Sequence, residues 1–227
     1  MYKRQAYLFY GPRGTGKTSI AKIFANEVNK NEVYQKENVD IIEIDAASNN
    51  GVDEVRDIKE AIKFLPSEGK YKVYIIDEVH MLTTAAFNAL LKTLEEPPAH
   101  VIFILATTEI HKIPATILSR CQRFEFKNLS VEQLEDRLKY ISENERLDIE
   151  EDAIKKIATL AKGGLRDAIS ILDQVSNYSE KITLENILEV TSSISEDSIL
   201  EFYKYLLQGD VTKSLLMYND FVAQAKD

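Results

Sequence analysis

Apolar residues in the first half of the chain gather into short runs of strand length, separated by stretches with helical spacing. The runs are AYLFY (Ala6 to Tyr10), VDIIEIDA (Val39 to Ala46), YKVYIID (Tyr71 to Asp77) and VIFILA (Val101 to Ala106). The third is apolar from Val73 to Ile76 and the fourth throughout, which predicts strands buried on both faces. Between the runs, spacing predicts helices from about Thr18 to Val28 and from about Val52 to Leu65. A further helix leads to a fifth strand near Phe124. After Lys127 the strand signals fade. Apolar positions recur at helical spacing through Val131 to Ile141, Ile154 to Ala161 and Leu165 to Val175. Ser130, three residues before Gln133, predicts a capping box, and Gly163 and Gly164 end the second of these helices. From Ser195 to Asp227 two amphipathic helices are predicted. One carries Ile199, Phe202, Leu206 and Leu207, the other Leu215, Leu216, Phe221 and Val222.

Directly behind the first run stands GPRGTGKTS, Gly11 to Ser19, which writes the pattern G-x-x-x-x-G-K-[ST] between a strand and a helix. Gly11, Gly14 and Gly16 allow the tight turns that press backbone N–H groups of Pro12-Arg13-Gly14-Thr15-Gly16 onto phosphate oxygens, Pro12 itself contributing no donor. Lys17 is expected at the β and γ phosphates, Thr18 at Mg²⁺, and Ser19 in the first turn of a helix whose positive dipole end faces the anion. Sixty positions after Lys17, Asp77 and Glu78 end the third run. A lone acidic pair at a strand end is usually solvated. Paired with the phosphate loop, Asp77 reads as the Mg²⁺ ligand and Glu78 as the general base that polarises a water. Thr108, just after the fourth run, is the candidate to orient that water, with simple strand capping as the alternative.

Several long strings resemble the AAA+ clamp-loader ATPases, the gamma/tau subunits of bacterial DNA polymerase III. They are GPRGTGKTSIAKIFA, EIDAASNNGVDEVRDI, DEVHMLTTAAFNALLKTLEEPPAHVIFILATTEIHKIPATILSRCQRFEF and GGLRDAISILDQ. The order of elements fits the fold this implies, a five-stranded parallel α/β sheet flanked by helices, then a small helical lid. The implied domains are residues 1–128 for the ATPase core, 129–193 for the lid, and 194–227 for the opening of a helical collar. In such ATPases the triplet Ser119-Arg120-Cys121 supplies an arginine finger to the neighbouring subunit's ATP, a role suited to guanidinium. Arg166 matches a second sensor that touches the γ phosphate of its own subunit. The implied catalytic set is thus Lys17, Glu78, Thr108, Arg120 and Arg166, with ATP and Mg²⁺ as cofactors.

Family members usually carry a four-cysteine zinc module between the first helix and second strand. Here that stretch is NKNEVYQKENVD, and Cys121 is the only cysteine, so no structural zinc is expected. Cys121 is expected to pack, since no neighbouring base would activate it. The family's adenine-holding segment before the first strand has no counterpart here, which implies that phosphate contacts carry more of the binding. Clamp loaders grip the template backbone from the helix after the second strand. The matching positions are Asn50, Gly51, Val52 and Arg56, followed by Lys59 and Lys63. The same cations read equally as a solvated face paired with Glu60 and its neighbours.

A net charge of −9 argues against binding nucleic acid over the whole surface, but leaves local backbone contacts open. No stretch is long and apolar enough to span a membrane and no signal peptide is written, so a cytoplasmic site is expected. The sequence therefore predicts an ATP-hydrolysing motor that joins other clamp-loader subunits, the sliding clamp and primed DNA. A nucleotide-holding scaffold without turnover, or another AAA+ DNA-processing motor, are the competing classes. Intact Lys17 and Glu78 count against the first, the SRC and LEEPP strings against the second.

Overall fold

The computed structural model describes residues 5–30, 38–191 and 196–224, without the side chains of 196, 197, 220 and 222–224. The stretch 31–37, where the zinc module is expected to be missing, lies outside the described residues, as does the side chain of Val222. By contacts the chain divides into two compact units, Met1–Asn128 and Leu129–Asp227.

In the first unit five strands pair in parallel in the order β2-β3-β4-β1-β5. They are β1 (Ala6–Tyr10), β2 (Ile41–Asp45), β3 (Lys72–Asp77), β4 (Val101–Thr107) and β5 (Gln122–Glu125). The helices are α1 (Lys17–Asn29), α2 (Val52–Ala61), α3 (Thr84–Glu95) and the short α4 (Ala115–Leu118). Alternation along the strands builds one core on each face of the sheet. Val73, Ile75, Ile102 and Ile104 pack with Ala21 and Ala25 of α1. Tyr74, Ile76, Phe103 and Leu105 pack with Val55 and Ile58 of α2 and with Phe87, Leu90 and Leu94 of α3. All seven residues of β4 are buried, which is why that strand reads as a continuous apolar run. Cys121 packs in the α2/α3 core.

Some boundaries differ from the sequence prediction. Helix α2 stops at Ala61 instead of Leu65, and Phe64 and Leu65 are exposed. Pro66 disfavours helical backbone in the residue before it, so these two apolar residues mimic a helical period that the backbone does not continue. Strand β2 begins at Ile41, leaving Val39 exposed, and β5 is an edge strand with all four residues exposed. Periodicity alone did not single out α3, which Thr83 caps by accepting a hydrogen bond from the Ala86 N–H.

Polar anchors fix where these strands start. Asp40, just ahead of β2, is almost fully buried and accepts hydrogen bonds from the backbone N–H groups of Ser67, Glu68 and Gly69 at 2.7–2.8 Å. Burial opposes its charge. The three N–H donors and the Lys72 charge outweigh it and hold the carboxyl below its ordinary range. Asn29, at the end of α1, accepts from the Tyr71 N–H and donates to the Tyr71 carbonyl, so helix and strand are tied by one amide.

The second unit contains α5 (Val131–Glu145), β6 (Asp148–Ile149), α6 (Glu151–Leu160), α7 (Leu165–Tyr178), β7 (Lys181–Ile182), α8 (Leu184–Val190), α9 (Glu196–Gln208) and α10 (Val211–Gln224). Ser130 and Gln133 make the reciprocal bonds of a capping box at the start of α5. Leu134, Leu138, Ile154, Ile157, Leu172 and Val175 form a separate core, to which the unanticipated α8 adds Ile187. In α9 and α10 the rings of Phe202 and Phe221 meet at 5.6 Å, whereas Leu206, Leu207, Leu215 and Leu216 remain exposed.

Two stability experiments test these anchors. Replacing Asp40→Asn is expected to cost about 1–3 kcal/mol near neutral pH, because an amide cannot accept all three donors. The Asp40 contribution is full above the ordinary carboxylate value of 3.8 and is lost as pH falls through the lower folded value. Urea denaturation should therefore find the gap between parent and variant narrowing in acid; a gap that widens there would contradict this account. Tyr74 stacks on Phe103 with ring centroids 5.5 Å apart, and its buried hydroxyl has no hydrogen-bond partner among the described residues. Tyr74→Phe should leave the melting temperature unchanged or raise it, by up to about 1 kcal/mol of stability.

Candidate active site

Parallel pairing brings the carboxyl ends of β1, β4 and β3 to the same edge of the sheet, with β4 between the other two. The residues that follow these strands are the glycine loop, Thr108 and the Asp77–Glu78 pair.

The loop owes its course to glycine. Gly11 has φ +148°, Gly14 +74° and Gly16 +90°. A Cβ at Gly11 would stand 1.9 Å from the Phe126 carbonyl oxygen, so only glycine fits between β1 and the segment after β5. At Gly16 the same position meets no atom within 4 Å, so open space adjoins the loop where the backbone enters α1. The Gly11 N–H donates to the Thr107 carbonyl at 3.2 Å and extends the β1–β4 pairing into the loop. Lys17 is buried and donates to the carbonyls of Gly11 (2.9 Å) and Pro12 (2.8 Å). Burial pushes its ammonium pKa down, against the opposing pull of the Glu78 and Asp77 charges. Thr15 donates to the Pro12 carbonyl, while Pro12, Arg13 and Ser19 are exposed.

Thr18 donates to Asp77 Oδ2 at 2.6 Å, and Asp77 Oδ1 accepts the Glu78 N–H at 2.8 Å. Glu78 adopts φ 45°, ψ 43°, a left-handed backbone rare for a residue with a side chain. Its Oε2 accepts from the Thr108 hydroxyl at 3.0 Å and from the Thr108 N–H at 3.3 Å. Thus Lys17, Thr18, Asp77, Glu78 and Thr108 converge. Two groups the sequence reading missed join them: His80, with Nδ1 3.3 Å from Glu78 Oε2, and Thr107, whose hydroxyl lies 3.0 Å from the same nitrogen. The only signal for His80 was its place in the DEVH string.

The donor set fits a nucleoside triphosphate with Mg²⁺. A cationic group and positive-φ glycines adjoin open space, and a hydroxyl and a carboxylate suited to a hard cation sit side by side.

The remaining predicted residues stand apart from this cluster. Arg120 forms an ion pair with Glu95 at the end of α3 and donates to the Thr116 carbonyl. Arg166 is exposed in the first turn of α7, within the second unit. A cation at that end of a helix opposes the macrodipole, so it is not there to stabilise α7. Asn50 and Arg56 are exposed, with Gly51 at the N-cap and Val52 opening α2. Asp53 and Glu54 occupy the same first turn. Arg56 pairs with Asp53 at 2.7 Å and Lys63 with Glu60 at 2.5 Å, so both cations already face carboxylates on their own helix or just past it.

Comparison with known proteins adds the family. Residues 3–130 match the family described as "DNA polymerase III, delta subunit", and residues 133–181 match "DNA polymerase III clamp loader subunit, ATPase lid domain". The chain is 52% identical to DNA polymerase III subunit tau of Bacillus subtilis, over 98% of this chain and 42% of that protein. It is 40% identical to subunit tau of Escherichia coli, over 96% of this chain and 36% of that protein. It thus spans less than half the length of these relatives. Among solved structures, the Thermotoga maritima RuvB Holliday junction branch migration motor superposes with a TM-score of 0.65 at 20% identity, covering 89% of this chain and 68% of that one. At that identity the likeness shows the AAA+ fold alone. With the strand order and the two family matches together, the chain belongs to the clamp-loader ATPase family of bacterial DNA polymerase III, as a relative of its gamma/tau subunits.

Proposed function

We propose that this chain is an ATP-hydrolysing motor of a bacterial clamp loader, acting with companion subunits to place a sliding clamp on primed DNA. The observation that carries this reading is the pair of contacts Thr18–Asp77 and Glu78–Thr108 at adjoining strand ends, beside the glycine loop. Such an arrangement suits phosphoryl transfer to water. Lys17 and the loop N–H groups bind phosphate, Thr18 and Asp77 hold the metal, and Glu78 takes the proton of a water that Thr108 helps to orient. Mg²⁺ bound there supplies charge neutralisation on the phosphates.

Arg120 serves a neighbouring subunit and Arg166 senses the γ phosphate of its own. The Glu95 pair keeps the Arg120 guanidinium ordered at the C-terminal end of α3, which favours cations. Contacts to DNA backbone through Asn50, Gly51, Val52 and Arg56 would require Arg56 to leave Asp53, an exchange between exposed partners that costs little. The division into core, lid (129–193) and collar-like segment (194–227), and a cytoplasmic location, belong to the same proposal. Among the described residues no helix is long and apolar enough to cross a membrane.

Steady-state ATP hydrolysis by the chain, alone and with companion subunits, clamp and primed DNA, tests the reading. Glu78→Gln is expected to abolish turnover, by a factor of about 10² or more, while nucleotide binding persists. Binding without turnover in every mixture would instead make the chain a nucleotide-holding scaffold. Arg120→Ala should leave nucleotide binding by the isolated chain unchanged and lower partner-stimulated turnover by about 10³. An Arg120→Ala mixture as active as the parent would remove Arg120 from the site.

A further inference from the structure

Two consecutive threonines close strand β4, and the second of them bonds to Glu78. The first, Thr107, is fully buried, and its backbone and side chain hold different neighbours. Its carbonyl accepts the Gly11 N–H of the phosphate loop at 3.2 Å. Its hydroxyl oxygen accepts the Glu109 N–H at 3.0 Å and lies 3.0 Å from His80 Nδ1. A threonine oxygen that accepts the N–H two residues on closes a small turn, and Thr108 is the middle residue of this one. His80 lies in the 3-10 turn Val79–Met81 directly after Glu78, and its side chain is only 7% exposed. The bond between Thr107 and His80 thus ties the turn that carries Thr108 to the turn that follows Glu78.

Proton counting sets the direction of that bond. A hydroxyl has one proton to give, and among the described residues the Thr107 oxygen has only two partners, the Glu109 N–H and the imidazole. Were His80 the donor, the Thr107 proton would be buried without an acceptor, which is costly. The hydroxyl therefore donates to Nδ1, and the ring proton sits on Nε2. That nitrogen lies 3.6 Å from Glu109 Oε1, too far for a hydrogen bond but close enough for attraction to a carboxylate that Lys112 already pairs at 2.7 Å. With its proton committed to His80, the Thr107 oxygen keeps a lone pair aimed at the Glu109 N–H. The turn is closed from both sides, and a β-branched side chain has few rotamers by which to leave it.

Thr108 reaches Glu78 Oε2 twice, with its hydroxyl at 3.0 Å and with its N–H at 3.3 Å. The second donor belongs to the backbone, so no side-chain rotation can correct it; the peptide between Thr107 and Thr108 must itself face the carboxylate. We propose that Thr107 is a positioning residue for Thr108: its hydroxyl, held between the Glu109 N–H and His80, fixes that peptide, and hydrolysis depends on it while nucleotide binding does not. The inference rests on reading Glu78 as the general base and Thr108 as the group that orients the water. Its effect belongs in kcat, because Thr107 meets the phosphate loop through its carbonyl, which every substitution keeps. A misplaced orienting group costs turnover without costing phosphate contacts.

Two substitutions separate the hydroxyl from the shape that carries it. Thr107→Val keeps the branched shape and removes the hydroxyl; it should lower kcat about tenfold or more with KM and nucleotide affinity unchanged. Thr107→Ser keeps the hydroxyl and is expected to turn over near the parent rate. His80→Phe keeps a ring, removes the acceptor and should lower kcat in the same direction, which preserves the test if valine at position 107 prevents folding. All are compared beside Glu78→Gln with the same companion subunits, clamp and primed DNA. In a Thr108→Ala background, Thr107→Val is expected to cost little further turnover, since its effect passes through Thr108. Losses that multiply in the double variant overturn the positioning role. So do parent-like rates in Thr107→Val or in His80→Phe, and so do equal losses in Thr107→Val and Thr107→Ser. Parent-like turnover in Thr108→Ala, with Glu78→Gln inactive, removes the orienting group and the proposal with it while leaving the base intact; turnover surviving in Glu78→Gln removes the base itself. Nitrogen NMR of the His80 ring reads the brace without turnover: in the parent near neutral pH, Nε2 is expected to carry the proton and Nδ1 none. A proton found on Nδ1 contradicts the proposal whatever the rates.

Discussion

The level ending of three parallel strands is the constraint on which the site depends. Tyr10 pairs with Thr107 and Ile76 with Leu105, while β2 and β3 finish together at Asp45 and Asp77. A slip of one residue in any of these pairings would move each chemical side chain by about 3.3 Å and turn it to the other face. Burial on both faces prevents that slip. Tyr74 and Ile76 must meet α2 and α3 while Val73 and Ile75 meet α1, and only one register satisfies both cores. Each fully buried large aliphatic side chain contributes about 1.5–3 kcal/mol, and the many in the two cores together outweigh the few bonds at the site. The hydrophobic pattern thus sets the geometry that the polar groups exploit.

Where strong local signals agree with that pattern, the sequence was easy to read. The central strands, the glycine loop and the Ser130–Gln133 cap follow from short-range rules applied to consecutive residues, and Thr18 and Asp77 from the loop motif and the acidic strand end that accompanies it. The contact between Glu78 and Thr108 was harder, since it depends on β4 lying between β1 and β3, and strand order is not written in any one segment. His80 and Thr107 were missed for a related reason. A histidine beside an acidic pair and a threonine at a strand end are unremarkable alone, and become a network only through a backbone turn at Glu78 that no propensity scale favours. The ends of α2 and β2 were misjudged because exposed Phe64, Leu65 and Val39 imitate core positions.

Charge is used differently in the strand-end cluster and in the arginines that stand apart from it. Lys17, Thr18 and Asp77 form a compact group in which burial and opposite charges compete, so small changes in hydration alter their balance. Arg120 and Arg56 sit in exposed or partly exposed pairs with Glu95 and Asp53, where water screens the attraction and partners exchange at low cost. Tight, dry contacts suit groups that must not move during chemistry. Loose, wet pairs suit the proposed roles of these arginines, in which each would change partner when another molecule arrives.

Gly11 links this arrangement to the length of chain that leaves the sheet. The Phe126 N–H donates to the Tyr10 carbonyl at 2.7 Å, and the Phe126 carbonyl leaves no room for a side chain on Gly11. Phe126 stands two residues before the boundary at Asn128. The chain just past β5 is therefore fastened to the first turn of the phosphate loop, and any side chain at Gly11 would have to prise the two apart.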